Sequence, residues 1–149
     1  APLWPPRSRS VYHSISLGTL IADPLRRITG QSIGQFLAAE MATVNADIFI
    51  GLPLSEDPRT AELIEGPKTA DGVTATLAGP YPHAWRNPSI RPTEPNTRAW
   101  RAAEIPGANG HATAKALALI YGDLVSGHSK LLSPVALREA TKPRFDGMD

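Results

Sequence analysis

Residues 12–37 read YHSISLGTLIADPLRRITGQSIGQFL and carry the signals for two consecutive helices. Apolar residues recur at helical spacing as far as Gly30, where a left-handed helix end is expected. Ser32 follows, and Gln35 stands three positions later, which is the pattern of a capping box at a new helix start. Two helices joined by so short a turn are expected to lie side by side as a hairpin.

The first predicted helix covers residues 12–29 and has one apolar stripe, which we expect to be buried. Pro24 lies inside this helix. Because proline removes a backbone donor, the sequence predicts either a kink or a restart of the helix with Asp23 as its cap. Arg26 and Arg27 lie in the last turn, where cations are favourable. The stripe consists of Leu17, Leu20, Ile21, Leu25 and Ile28.

Runs of β-branched and aromatic residues after the second helix predict a small β element. Residues 48–50 read IFI and end at a Gly-Leu-Pro turn, which is typical of a short strand. We predict residues 60–64 as its antiparallel partner, which gives a short β hairpin. From residue 66 to 95, glycine, proline, asparagine and aspartate recur every few positions and predict a long loop-rich segment.

Three further helical segments are predicted in the C-terminal part of the chain. A short helical turn covers residues 96–101, and Thr113 is the expected cap of a longer amphipathic helix. Ser133 followed by Pro134 is typical of the start of a last helix. The sequence therefore predicts one mainly α domain over residues 1–149, with a short β hairpin.

Charge and composition exclude several classes of function. Fifteen Lys and Arg against 14 Asp and Glu leave a formal charge of +1, so no basic surface for nucleic acid is expected. The chain has no cysteine, which excludes disulfides and thiolate metal sites. The four histidines lack metal-ligand spacing and no glycine-rich loop follows a strand, so neither a metal nor a nucleotide cofactor is expected.

Residues 30–34 read GQSIG and match GxSxG, the pattern that places the nucleophile of α/β-hydrolases on a sharp turn. In those enzymes a buried parallel strand precedes the turn, whereas the residues before Ser32 have helical spacing and charges. The capping box is a sufficient reason for a serine here. We therefore interpret Ser32 as a helix cap in preference to a nucleophile.

Tyr81, Trp85 and Trp100 lie in or beside the loop-rich segment. Such aromatic side chains either line a binding groove or fix long loops onto helices. The second role is favoured for Trp100. For Trp85 both interpretations stay open, and it is our candidate among them for contact with a substrate.

Six short motifs occur in order along the chain. They are YHSISLG (12–18), RRITGQSIGQFL (26–37), IGLP (50–53), RAWRAAEIP (98–106), ANGHATA (108–114) and LLSP (131–134). Their wording and order resemble those of the β-lactamase-like serine esterases, relatives of class C β-lactamases and penicillin-binding proteins. In that family a serine in an SxxK motif is acylated, and a tyrosine in a YxN-like motif helps to move its proton. Tyr12 matches this tyrosine, and Ser14 stands where the motif has asparagine.

The resemblance implies a helical domain inserted into an antiparallel sheet, with the active site in the cleft between them. This chain would then be mainly the helical domain, with most of the α/β sheet domain missing. It also implies acyl-enzyme hydrolysis of a small ester or lipid, with Tyr12 as the catalytic residue and Ser14 as a substrate contact, to which the loop-segment argument above adds Trp85. Because Ser14 replaces asparagine, esters are favoured over β-lactams.

Two of the three catalytic motifs of that family are absent from this sequence. No serine has a lysine three positions later, and no Lys-Thr-Gly or His-x-Gly triplet occurs. We therefore expect the chain to be a piece of a longer polypeptide, inactive alone, and able to self-associate through the surface left by the missing domain. The alternatives are a noncatalytic binding homologue of penicillin-binding proteins and an α/β-hydrolase that uses Ser32.

Overall fold

The computed structural model describes Pro5, Ser8, residues 15–65 and residues 91–144. Within these residues the architecture is mainly α, as predicted, with two short strands. The helices are α1 (Ser16–Thr29), α2 (Ile33–Ala42), α3 (Arg98–Ala102), α4 (Ala114–Val125) and α5 (Pro134–Ala140), the strands are β1 (Ile48–Ile50) and β2 (Gly110–Ala112), and 3₁₀ helices cover Leu54–Arg59 and Glu94–Asn96. Residues 66–90 of the predicted loop-rich segment lie outside the described residues.

The turn between α1 and α2 has the hydrogen bonds that the sequence predicts. Gly30 is left-handed with φ 73°, and its N–H donates to the carbonyl of Arg26 at 2.9 Å. The Oγ of Ser32 accepts from the backbone N–H of Gln35 at 3.3 Å, and the N–H of Ser32 donates to Oε1 of Gln35 at 2.9 Å. The capping box is confirmed, and so is the contact between the two helices.

Helix α1 continues through Pro24 without a break. The carboxylate of Asp23 lies 2.8 Å from Nε of Arg27 and 3.4 Å from Nη2 of Arg26. These are i,i+4 and i,i+3 pairs along one helix surface. The predicted restart is therefore wrong, because Asp23 pairs with side chains one turn ahead instead of capping backbone amides.

The two strands form an antiparallel pair, but their partners are far apart in the chain. Ile48 lies opposite Ala112, and Ile50 lies opposite Gly110. The prediction that residues 60–64 supply the second strand is wrong. Residues before them form the 3₁₀ helix Leu54–Arg59, and the side-chain amide of Asn96 binds both backbone groups of Leu63, at 2.8 and 2.9 Å. Those backbone groups are thereby taken out of any ladder with β1. Between the two end pairs of the ladder, Phe49 lies opposite His111.

The C-terminal helices start at the predicted caps. Thr113 Oγ1 and Ser133 Oγ each accept from the backbone N–H three residues later, at 3.0 and 3.1 Å. Between these helices Asp123 holds the connecting loop, since its carboxylate accepts from Ser129 Oγ at 2.5 Å and from the backbone N–H of Lys130 at 3.0 Å. These hydrogen bonds, that of the Lys130 backbone first, hold the pKa of Asp123 below its usual value.

The buried groups in the described part of the chain are few and partly polar. The buried apolar side chains are Leu52 and Ala116, and the buried polar ones are Arg101 and Asn109. The predicted burial of the α1 stripe is wrong for four of its five members, whereas Leu25 is half-buried. The exposed members are Leu17 (51%), Leu20 (66%), Ile21 (51%) and Ile28 (83%). None of the helices in residues 15–65 and 91–144 is long and apolar enough to cross a membrane.

Candidate functional site

The predicted site residues Tyr12, Ser14 and Trp85 lie outside the described residues, so their roles stay predictions. Helix α1, which starts at Ser16, nevertheless follows the first two of them closely in the sequence. The elements that surround this helix start can therefore be built up from the structure.

The first turn of α1 lies directly against residues 103–109, which we call the 103–109 loop. Gly18 is buried there. A Cβ at this position would lie 2.6 Å from the backbone nitrogen of Gly107 and 2.8 Å from Cβ of Pro106. Both separations are far inside ordinary carbon contact distances, so only glycine allows this approach. The sequence YHSISLG thus leads into a helix whose start is seated on the 103–109 loop.

Asn109 sets the conformation of this loop from inside. Asn109 is only 3% exposed. Its side chain accepts from the backbone N–H of Ile105 at 2.9 Å and donates to the carbonyl of Trp100 at 2.8 Å. The same amide also donates to the carbonyl of Ala103. One side chain therefore binds three backbone groups, of which the Trp100 carbonyl also accepts from the N–H of Ala103 at 3.2 Å.

Ser32 connects the GxSxG motif to the other end of the loop. Its Oγ donates to Oε1 of Glu104 at 2.6 Å while it accepts the capping hydrogen bond of Gln35. A helix, α1, and the left-handed Gly30 precede it, not a buried strand. The motif is thus a helix–turn–helix corner with a capping serine, and the interpretation of Ser32 as a cap is confirmed.

Two glycines make room for the side chain of Glu104. A Cβ on Gly34 would lie 2.6 Å from Oε1 of Glu104 and would also overlap the carbonyl oxygen of Ile50. Gly51 is left-handed with φ 77°, and a Cβ there would lie 3.0 Å from Cγ of Glu104. The glycines of the GxSxG and IGLP motifs are therefore required where α2, β1 and Glu104 meet.

A cluster of charged residues joins α3 to the 3₁₀ helix Leu54–Arg59. Arg98 Nη1 and Arg101 Nη1 lie 2.5 and 3.6 Å from the same oxygen, Oδ1 of Asp57. Arg98 also donates to the carbonyl of Leu52, and the Leu52 N–H donates to the carbonyl of Arg101 at 2.6 Å. The Arg98 hydrogen bond and the positive charge of both arginines hold the pKa of Asp57 below its usual value, against the effect of burial.

Sequence reasoning gave no role to Arg101, Glu104 or Asn109. Each acts on groups that lie elsewhere in the chain or on backbone atoms in a turn, so no periodic pattern marks it. The available signal was indirect: Glu104 and Asn109 lie within the ordered motifs, and Asn109 belongs to a turn cluster with proline and glycine.

A comparison with known proteins places these motifs in a family. A family model described as Beta-lactamase matches residues 1–148. The chain belongs to the β-lactamase family. The match includes the segment with Tyr12 and confirms the resemblance that the six ordered motifs indicated.

Individual relatives in the β-lactamase family agree with this assignment. The esterase/β-lactamase LipL of Mycobacterium tuberculosis (strain ATCC 25618 / H37Rv) is 31% identical over 130 residues, which cover 80% of this chain and 30% of LipL. The crystal structure of a penicillin-binding protein homologue from Caulobacter crescentus matches 100% of this chain and 40% of its own, with TM-score 0.76 and 34% identity. The structure of EstA from Arthrobacter nitroguajacolicus Rue61a matches 92% of this chain and 39% of its own, with TM-score 0.72 and 28% identity.

The chain therefore spans between 30% and 40% of the length of these relatives. Its mainly α architecture with two antiparallel strands is that of the helical part of the β-lactamase and penicillin-binding protein fold, as predicted. The family includes serine ester hydrolases.

Proposed function

We propose that the intact protein is a serine carboxylesterase or lipase that works through an acyl-enzyme. The observation that carries this proposal is the similarity to LipL, an esterase/β-lactamase by name, within a family match that includes Tyr12. In this reaction a serine hydroxyl attacks the ester carbonyl, the alcohol leaves, and water then hydrolyses the acyl-serine. The serine and its SxxK lysine would come from parts of the polypeptide beyond this sequence, so the 149-residue chain alone is inactive.

Tyr12 is proposed to assist proton transfer between the nucleophile and the leaving group. A free phenol has a pKa near 10 and is a poor base at neutral pH. It needs a neighbouring cation that favours the phenolate or relays the proton, and the SxxK lysine would be that cation. The fixed start of α1 against the 103–109 loop supports the role, since a proton-transfer group must be held within hydrogen-bond reach of its partners.

Ser14 and Trp85 are proposed as substrate contacts. Ser14 lies two residues after Tyr12, where related enzymes have asparagine, and a hydroxyl there offers one donor in place of an amide. This difference supports small esters or lipids as substrates in preference to β-lactams. Trp85 offers a large apolar surface for an acyl chain.

The test is hydrolysis of a chromogenic short-chain ester by the intact protein. Because general acid–base groups contribute about 10²–10⁴-fold, Tyr12→Phe is expected to lower kcat by about 100-fold or more. Tyr121→Phe is the matched control, since Tyr121 is 66% exposed on α4, and it should leave kcat unchanged. Equal turnover in the Tyr12 variant and the wild type would remove Tyr12 from the mechanism.

A noncatalytic binding homologue is the second candidate, and the match to a penicillin-binding protein homologue supports it. The coding sequence upstream of residue 1 separates the two, since an SxxK motif there is required by the enzyme and not by the binder. An α/β-hydrolase that uses Ser32 is disfavoured by the helix before Ser32 and by its bond to Glu104. Fluorophosphonate labelling of Ser32 would overturn that argument.

A further inference from the structure

A cavity of about 410 Å³ lies between the 3₁₀ helix Leu54–Arg59, α3 and β2. Its size is that of small-molecule sites, which are mainly apolar and have a few convergent polar groups. The walls of this cavity have the same character. Their apolar members include Phe49, Leu52, Leu63, Pro95 and Trp100.

Three polar atoms of residues that line the cavity are buried and make no hydrogen bond to the described residues: Oε2 of Glu56, Nε of Arg101 and Nδ1 of His111. The side chain of Arg101 is 10% exposed. Buried polar groups are almost always paired, so each such atom requires a reason. The side-chain amides in the wall are already used, since Asn109 binds its own loop and Asn96 binds Leu63.

The charge of Arg101 is only partly compensated by its neighbours. Its Nη1 lies 3.6 Å from an oxygen of Asp57 that Arg98 already holds at 2.5 Å, so one carboxylate serves two guanidinium groups. The carboxylates of Glu56 and Asp47 also line the cavity, but both form ion pairs with Arg59. Glu56 Oε2 lies 3.2 Å from Nε of Arg59, and Asp47 pairs with the same arginine. The free donor and the positive charge with the weakest pairing therefore both belong to Arg101.

We propose that this cavity binds a small monocarboxylate with an apolar or aromatic body. The carboxylate would accept a charge-assisted hydrogen bond from Arg101 Nε, which is stronger than one between neutral groups. His111 Nδ1 would supply the second polar contact, and the rings of Trp100 and Phe49 would contact the apolar body. The proposal stands apart from ester hydrolysis, because none of its residues has a part in the proposed acyl-enzyme mechanism.

The first experiment measures binding of phenylacetate by isothermal titration calorimetry, beside phenylacetamide and phenethylamine, which share its aromatic body. Phenylacetate is expected to bind at least about tenfold more tightly than either analogue, because only it carries the anion. Arg101→Gln should abolish this preference. Arg91→Gln is the matched control: Arg91 has a side chain that is 83% exposed, and its loss should leave the affinity unchanged.

The second experiment uses the wild-type protein, so it does not depend on whether an Arg101 variant folds. With ¹⁵N-arginine labelling, phenylacetate should shift the Nε–H resonance of Arg101, and phenylacetamide should shift it much less. Arg101→Lys identifies this resonance, since it keeps a positive charge beside Asp57 and lacks Nε. An unshifted Arg101 resonance, equal affinity for the acid and its amide, or tighter binding of phenethylamine would each overturn the proposal.

Discussion

The 103–109 loop and helix α1 differ in what they bury. In the loop a polar residue, Asn109, is 3% exposed and satisfies three backbone groups. On α1 an apolar residue, Ile28, is 83% exposed. Exposed apolar patches of this kind are unusual on a monomer and mark contact surfaces. The difference teaches that a polar side chain can take an interior position where its hydrogen bonds order a turn, whereas apolar residues of α1 stay exposed because helical periodicity alone does not bury them.

The largest effect on stability is expected at Gly34, where α2, β1 and Glu104 are in close contact. Gly34→Ala would place a Cβ 2.6 Å from Glu104 Oε1 and against the carbonyl of Ile50. Since the Ile50 backbone cannot easily move, we expect a loss of about 3 kcal/mol in the free energy of unfolding. Urea denaturation measures it.

Gly122→Ala is the control for that substitution, because nothing lies within 4 Å of a Cβ at Gly122. It should raise the free energy of unfolding by about 0.5–1 kcal/mol through helix propensity alone. If both glycine variants changed stability alike, the tight contact of α2 with β1 and Glu104 would be refuted.

A smaller loss is expected from Asn109→Ala, which removes three hydrogen bonds and leaves the N–H of Ile105 and the carbonyl of Ala103 without their partner. A cost of about 2–3 kcal/mol follows from the usual penalty for buried unsatisfied groups. Asn96→Ala removes two similar hydrogen bonds, to Leu63, that are open to water, and should cost about 1 kcal/mol. Thermal or urea unfolding of the two variants measures the difference, and equal losses would contradict a special role for burial in the 103–109 loop.

The smallest effect on stability is expected on the exposed face of α1. Leu20 is 66% exposed, so Leu20→Glu should change the free energy of unfolding of the 149-residue chain by no more than about 0.5 kcal/mol. We propose that this face drives self-association of the chain, because association would remove its apolar surface from water.

Sedimentation velocity tests that proposal. Leu20→Glu should lower the weight-average mass of the chain toward that of the monomer. Thr19→Glu adds the same charge to the same helix without removing apolar surface, and should leave self-association unchanged. A wild-type chain that stays monomeric at all concentrations would exclude self-association through α1.

Local structure was predictable from the sequence because its causes are local. The caps at Ser32, Thr113 and Ser133 and the left-handed Gly30 depend on side chains within a few residues of the backbone they serve. The partner of β1 was not predictable, since residues 110–112 reach it only after the chain folds back on itself. The prediction that the α1 stripe is buried was wrong for a similar reason. Helical periodicity indicates an apolar face, but it does not say which element, if any, covers that face.

The candidate site was predictable only in part. Family motifs point to Tyr12 and Ser14, and the aromatic residues of the loop-rich segment point to Trp85; all three stay predictions because they lie outside the described residues. Arg101, Glu104 and Asn109 were missed, since a buried charge or a carboxylate between two glycines has no signature in sequence spacing. GxSxG shows the reverse case, in which a familiar pattern has a purely conformational cause at Ser32.

The absence of a side chain at Gly18 has a mechanical consequence. With the backbone of Gly107 so near, there is no clearance between the start of α1 and the turn below it, and neither can advance toward the other. Any displacement of that turn must carry the helix start with it. A ligand or mutation that moved residues 106–107 would therefore also displace the start of α1, which follows Tyr12 in the sequence.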